Sequence, residues 1–427
     1  MECQHPYLVY STPKGETRER RSLRACDYSG APLTPDDLIP LPDGSTLSML
    51  PERLSVGLDT QGARQIAHSG WALAALLPIG YTRTHLPAYA ATETSFPLPF
   101  FGYSAIAGWR GQIYAAAIQT DNPARWLPSA FNRRKLERAV QERLDAEPEN
   151  RVLAHHAHCA LDYACPTASN IFLRRWEGAV AVSAGCNARC VGCISKQEED
   201  ELVSPQDRLT FLPTVEEIVA VGVAHLEAAP DAIYSFGQGC EGEPLLQARR
   251  IEQAVQGMRA QTAHGTININ TNASNPYALQ RLYTAGLDSL RASTISARRE
   301  TYDAYYRPIG YTLDDVKRSL ILAQEAGVYS SINLLCFPGL IDCEDEVEAL
   351  LGFLRETRTR LVQLRNLNID PELLWSRVPR PSGAPIGMRA MIETLRREAP
   401  EVEIGNFSRP VSRATSAKHA DTHSDAR

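Results

Sequence analysis

Between residues 178 and 368, short β-rich runs alternate with amphipathic helical runs, and this rhythm restricts the folds open to the chain more than any other feature. The β-rich runs fall at 178–184, 232–236, 266–272, 289–294, 330–337 and 360–368. Helix signals lie between them. Thr214, with Glu217 three residues on, makes a capping box that opens a helix bearing Ile218, Val221 and Leu226 on its apolar side. A second helix covers about 247–261. Asn275 and Pro276 start a third that Gly286 stops, Thr312 caps a fourth that Gly327 closes, and residues 344–356 form a fifth. Six strand–helix units in series predict a parallel sheet with right-handed crossovers, an α/β fold of open-sheet or partial-barrel type. Residues 383–404 add a last helix and strand.

In such sheets, functional groups gather beyond the C-terminal strand ends. Four segments sit there: a cysteine motif after the first run, the Gly-rich loop from Gly237 to Pro244, the Asn-rich end of the third run, and Pro338 with Gly339. They are expected to converge on one rim.

The first 170 residues read differently. Prolines and glycines punctuate extended runs at 7–11, 102–107 and 112–118, and a helix at about 133–144 carries Leu136, Val140 and Leu144 at spacing four. The expected organisation is an N-terminal α+β accessory region over 1–170, the barrel over 171–410 and a polar, disordered tail over 411–427.

Hydrophobic content of 44% and charged content of 22% are those of a soluble globular protein. A net charge of −6 argues against a globally basic nucleic-acid binder. No apolar run reaches membrane-spanning length, and no basic segment followed by an apolar stretch opens the chain, so no membrane partner is expected and the cytoplasm is the expected compartment. Ten cysteines among 427 residues do not make a disulfide scaffold; they read as ligands, nucleophiles or small buried hydrophobes.

Three of these cysteines, Cys186, Cys190 and Cys193, have the spacing C-x3-C-x2-C. A cubane [4Fe–4S] cluster normally takes four cysteines. Held by three, it keeps one iron open to a ligand, which favours a catalyst over an electron wire. A zinc site completed by a distant residue, or a closed cluster completed by Cys240, are the competing readings of the motif.

With the Gly237–Pro244 loop and the six units beside it, the chain resembles the radical S-adenosylmethionine (radical SAM) superfamily over about residues 174–369. The resemblance implies a partial (β/α)6 barrel in which Cys186, Cys190 and Cys193 hold a [4Fe–4S] cluster. It implies S-adenosylmethionine chelating the open iron, a one-electron reductant such as flavodoxin or ferredoxin, and cleavage to a 5′-deoxyadenosyl radical. Gly242 and Glu243 resemble the family's loop for the methionine amine. Asn270 and Asn272 resemble its segment near ribose and carboxylate. Ser293 and Ser296 stand where it often places a polar contact, and Asn333, with Pro338 and Gly339, at its adenine border. Gly192 departs from the family, in which an aromatic residue often precedes the third cysteine.

Other clusters carry less. Asn272 also reads as the start of a turn, and Glu241 as a solvated loop charge. His155, His156, His158, Cys159 and Cys165 fit either a zinc or auxiliary-cluster site or a polar helix turn with two buried cysteines. Tyr302, Tyr305, Tyr306 and Arg307 fit either a substrate border or aromatic packing. Arg133, Arg134, Lys135, Arg138 and Arg143 interleave with Glu137 and Glu142, as on a solvated helix face. Cys336 reads as core, and Cys3 and Cys26 have no recognisable partners. The leading expectation is a radical SAM enzyme of unknown substrate. The alternatives are a non-catalytic iron–sulfur or zinc-binding scaffold and an RNA-modifying radical SAM enzyme, the latter suggested by the sequence Glu-Gly-Glu-Pro-Leu-Leu ending at Leu246.

Overall fold

The computed structural model of the protein describes residues 5–197 and 202–411. Cys3 and the tail expected beyond residue 411 lie outside the described residues. Seven parallel strands form one sheet in strict chain order: Glu177–Val180, Ile233–Phe236, Thr266–Thr271, Ser289–Thr294, Tyr329–Cys336, Leu361–Asn366 and Glu403–Gly405. Every strand pairs with the next in sequence, and a helix crosses over between each pair. The crossover helices are Val215–Ala228, Ala248–Arg259, Pro276–Ala285, Leu313–Glu325, Glu344–Thr357 and Met388–Glu398. This is a mixed α/β fold with a partial parallel β/α barrel.

Local chemistry sets the helix ends. Thr214 Oγ1 accepts from the Glu217 amide at 3.2 Å, and the Glu217 carboxylate accepts from the Thr214 amide at 2.7 Å. Asn275 caps the third crossover helix, and Gly286 ends it in the left-handed conformation at φ 109°. Ile218, Val221 and Leu226 are buried, as their spacing requires.

The concave interior of the sheet is polar. Glu177 Oε1 accepts from Ser235 at 2.9 Å and from Ser408 at 3.0 Å. Arg291 Nη1 donates to Gln363 and Ser408, both at 2.9 Å. Asn268 links Ser235 to Ser289. Period-two alternation along strand three sends Asn268 and Asn270 to the same face, where they bond to each other at 2.9 Å.

The N-terminal segment holds a ten-stranded antiparallel sheet, dominated by two 13-residue strands, Thr46–Leu58 and Arg64–Leu76. Helices Arg133–Ala146, Arg151–Leu161 and Pro166–Leu173 lead from it to the first parallel strand. On the first of them, Arg133 pairs with Glu137 and Arg143 with Glu147, both at 2.6 Å, while Arg134, Lys135 and Arg138 are exposed, as on a solvated helix face. The antiparallel sheet docks against the end of parallel strand six. Arg53, fully buried, pairs with Asp370 at 2.6 Å. Arg83, also buried, donates to the carbonyls of Leu367 and Phe101, and Tyr89 donates to Glu372 at 2.7 Å. No helix among the described residues is long and apolar enough to cross a membrane.

Candidate active site

A cavity of about 430 Å³ opens at the C-terminal ends of the parallel strands. That volume lies in the range of small-molecule sites. Cys186 and Cys190 line it, together with Gly242, Glu243, Asn270, Asn272, Ser293 and Asn333. The thiol of Cys193 lies close enough to both that its charge adds to the burial holding them protonated. All three cysteines are free and half-buried. Arg208 Nη2 donates to Cys193 Sγ at 3.3 Å.

The cysteine loop has little regular structure, and neighbouring elements hold it. Tyr305 and Tyr306 offer carbonyls to the amides of Val191 and Arg189 at 3.0 and 2.9 Å. Gly242 N donates to Ser183 O at 2.7 Å and Glu243 N to Gly185 O at 2.8 Å. A Cβ on Gly242 would lie 1.8 Å from Gly185 O, so only glycine permits this approach.

Glu241 is not a solvated loop charge. It is 4% exposed, and it accepts from the amides of Val182, Ser183, Gly237 and Gln238 at 2.7–2.9 Å. Its carboxylate ties the end of strand one to the loop after strand two. Glu243 accepts from Asn272 N at 2.8 Å, Leu245 N at 2.9 Å and the Thr271 hydroxyl. Burial pushes both carboxyls up, Glu241 to about 8 and Glu243 to about 7, against the pull of these donors. Asn272 starts the turn, its Oδ1 accepting from Ser274 N at 3.1 Å, and its amide donates to Asn187 Oδ1 at 2.7 Å, bridging strand three to the cysteine loop.

Two expected members of the rim lie elsewhere. Ser296 is buried, its hydroxyl donating to the carboxylate of Glu346 behind strand four. Pro338 and Gly339 line a separate cavity with Tyr28, His85 and Trp375. There the chain turns at Gly339, φ 85°, whose amide donates to Asp342 at 2.6 Å. The reason is that Phe337 is fully buried against Trp375, which steers the turn away from the cysteines.

The tyrosines that fit either a substrate border or aromatic packing divide, and several other lining residues escaped the sequence reading. Tyr305 and Tyr306 reach the cavity, whereas Tyr302 packs behind them with its ring 4.6 Å from that of Tyr306. A side chain at Gly192 would meet the Tyr305 hydroxyl at 2.9 Å, so the aromatic group at this wall comes from the helix Arg299–Tyr306. Arg291, Arg365, Asn366 and Asn368 also line the cavity. Burial pushes Arg365 down to about 10, still a cation at neutral pH. The available signal was the polar run closing strand six, at the strand end where sites are built.

The remaining histidines and cysteines separate. His156 is buried and accepts from Ala181 N at 3.2 Å, while His158 is exposed and bonds to Asp162 at 2.5 Å. Cys240 does not line the cysteine cavity; its thiol lies against Cys159 and His155. Cys26 and Cys336 are core.

The donor set fits an iron–sulfur cluster with an open corner: three free thiols beside a cavity that carries amide, hydroxyl and carboxylate groups on its wall, with Asn333 Oδ1 buried there and unpartnered. Fold and site together define a partial β/α barrel with three free thiols grouped at its mouth. Residues 180–354 match the family model described as Radical SAM superfamily, which marks this segment as a radical SAM domain. The chain is similar to the solved structure of HydG, a maturase of the [FeFe]-hydrogenase, at 14% identity over 65% of this chain and 63% of that one, TM-score 0.40. It is similar to methylornithine synthase (PylB) at 14% identity over 56% and 68%, TM-score 0.39. It is also similar to a radical SAM methyltransferase from Sphaerobacter thermophilus at 19% identity over 54% and 65%, TM-score 0.36. The chain thus spans just under two thirds of the length of HydG. Comparison with curated proteins gives no match.

Proposed function

We propose that this protein cleaves S-adenosylmethionine reductively at a [4Fe–4S] cluster held by Cys186, Cys190 and Cys193, and turns the resulting radical on a substrate bound in the same cavity. The cluster and S-adenosylmethionine, when bound, supply a one-electron cleavage that yields a primary carbon radical able to abstract hydrogen. The observation that carries this reading is the placement of Cys186 and Cys190 on the wall of the cavity at the barrel mouth, with Cys193 beside them and Cys240 grouped instead with Cys159 and His155.

The chain's own residues would divide the remaining work. Gly242 and the Glu243 carboxylate would receive the methionine amine, which suits a buried site with negative charge available. Asn270, Asn272, Ser293 and Asn333 offer amide and hydroxyl groups to the ribose, carboxylate and adenine. Tyr305 and Tyr306 would keep water from one wall, as a reactive radical requires. Arg365 and Asn368 would face the substrate and favour one bearing an anionic or strongly accepting group. Residues 171–410 would form this catalytic unit. Residues 1–170, which meet strand six beside the cavity without lining it, would act as an accessory region. The electron would come from a small reductant such as flavodoxin or ferredoxin.

The test is anaerobic reconstitution with iron and sulfide, followed by dithionite and S-adenosylmethionine. Formation of 5′-deoxyadenosine, with an EPR signal that shifts on adding S-adenosylmethionine, is expected. A reduced cluster that is blind to S-adenosylmethionine and yields no 5′-deoxyadenosine would overturn the reading and favour a non-catalytic iron–sulfur protein.

A further inference from the structure

His155 and Cys159 stand four residues apart on helix Arg151–Leu161, so they share one face. His155 Nε2 and Cys159 Sγ are 3.8 Å apart. Cys240, far away in sequence, brings a third donor to the same point. The donor atoms of the three residues all lie within 4.8 Å of one another. Cys159 and Cys240 are 2% and 5% exposed, and His155 is half-buried. None of the three lines the cysteine cavity.

We propose that His155, Cys159 and Cys240 form a second, mononuclear metal site that takes a thiophilic divalent ion, zinc foremost. Zinc–sulfur bonds of about 2.3 Å and zinc–nitrogen bonds of about 2.0 Å at tetrahedral angles set donors roughly 3.5–3.8 Å apart. The observed His155–Cys159 spacing meets this, and the other separations close to it with small side-chain shifts. A cubane would spread its thiolates over separate irons and so hold them wider apart than one ion does. Two thiolates and an imidazole also select zinc over magnesium or calcium, which prefer oxygen. The Sγ of Cys165 bonds to Thr167 Oγ1 at 3.3 Å and stays outside the donor group, which leaves the fourth position to water.

The position gives the site a purpose. Cys240 lies on the loop that carries Glu241 and Glu243, and its carbonyl accepts from Leu209 N at 2.8 Å. An ion here would rivet that loop to the helix Arg151–Leu161. It would thus hold the two carboxylates that brace the cysteine loop and strand three.

The full chain with Cys186→Ser, Cys190→Ser and Cys193→Ser separates this site from the cluster, so its failure and that of the cluster reading are distinct. In this background, anaerobic titration with Co²⁺ should give one equivalent of thiolate charge-transfer absorption with intense tetrahedral d–d bands, displaced by Zn²⁺. Adding Cys159→Ser or Cys240→Ser should weaken binding by more than the roughly 10–100-fold that outer-shell changes cost. His155→Gln, at a half-buried position that tolerates the change, should shift the d–d bands while the chain keeps its circular dichroism. Zn²⁺ should raise the melting temperature of the parent and not of the ligand variants. No cobalt spectrum in the parent, a spectrum indifferent to Cys240→Ser, or a metal-free Cys159–Cys240 disulfide in anaerobic material would overturn the proposal.

Discussion

The two sheets bury opposite chemistry. The antiparallel sheet is packed with small apolar groups, among them Ala67, Ala74, Ala75, Ala107, Ala115, Ala116 and Ala117, all under 1% exposed. The parallel sheet hides Glu177, Ser235, Asn268, Ser289, Arg291 and Gln363 along its concave side. Burying charge costs more than burying methyl groups unless every partner is supplied. The parallel sheet supplies those partners from its own side chains, and Arg291 carries the network to the cavity at the strand ends. The antiparallel sheet has buried cations too, Arg53 and Arg83, but both spend them on docking to the parallel half.

The largest expected effect tests the cavity side of this contrast. Cys186→Ser should reduce 5′-deoxyadenosine formation to background and remove the cluster's EPR signal. Stability should change by less than about 1 kcal/mol, because Cys186 is only half-buried and the exchange keeps its size. Equal losses of stability and turnover would place Cys186 in the scaffold instead.

The docking side is tested by Arg53→Met. It strands the Asp370 carboxylate, which is fully buried and also accepts from Leu98 N at 2.9 Å. Breaking one partner of such a pair costs about 3–5 kcal/mol. Chemical denaturation should show that loss, and Arg53→Met with Asp370→Leu should recover at least half of it. A single variant as stable as the parent would mean that the sheets are not coupled through this pair.

Legibility follows the same divide. In the parallel half, each strand is local: caps such as Thr214 and Asn275 and stops such as Gly286 mark the helices, so the strands between them stand out. Ser289–Thr294 falls where the sequence puts it. In the antiparallel sheet, prolines and glycines mark strands such as Tyr7–Ser11 and Gln112–Gln119 but not the two longest. Strands Thr46–Leu58 and Arg64–Leu76 mix charged and alanine positions, and their pairing shifts register between Met49 and Ser55, which blurs the period-two signal. Within the site, the Cys186, Gly242 and Asn270 segments were readable because strand ends and glycines announce them. Glu241 was not. Its four amide donors come from two separate stretches of backbone that only the folded loop assembles. Ser296 misled because two residues of turn carry it behind the strand.

The charge inside the parallel half predicts an acid weakness. The imidazole of His225 bonds to Trp176 O at 2.9 Å just before strand one, and burial pushes it down to about 4. The unfolded chain holds that proton from about 6.5. Between these values the folded state binds fewer protons, so this contribution is full above pH 6.5 and is lost as the pH falls toward 4. The loss should approach about 3 kcal/mol. Urea midpoints measured across this range should slope accordingly, and His225→Gln should flatten the slope. A variant with the parent's slope would assign the acid sensitivity to other groups.

The smallest effect separates two residues that the sequence treats alike. Ser296 donates to Glu346, which also accepts from Thr301 at 2.6 Å, all of it buried. Ser296→Ala should therefore cost about 1.5–3 kcal/mol of stability, the range for a hydrogen bond to a charged group. It should leave the KM for S-adenosylmethionine unchanged, since Ser296 does not line the cavity. Asn333 is the mirror case. Its Oδ1 is buried at the cavity without a partner, so removing it relieves an unsatisfied acceptor. Asn333→Ala should cost little or no stability and raise that KM, by about tenfold for the loss of one bond worth 1.4 kcal/mol. The opposite pattern would move the ligand from the strand-five wall to the strand-four turn and redraw which side of the parallel sheet meets it.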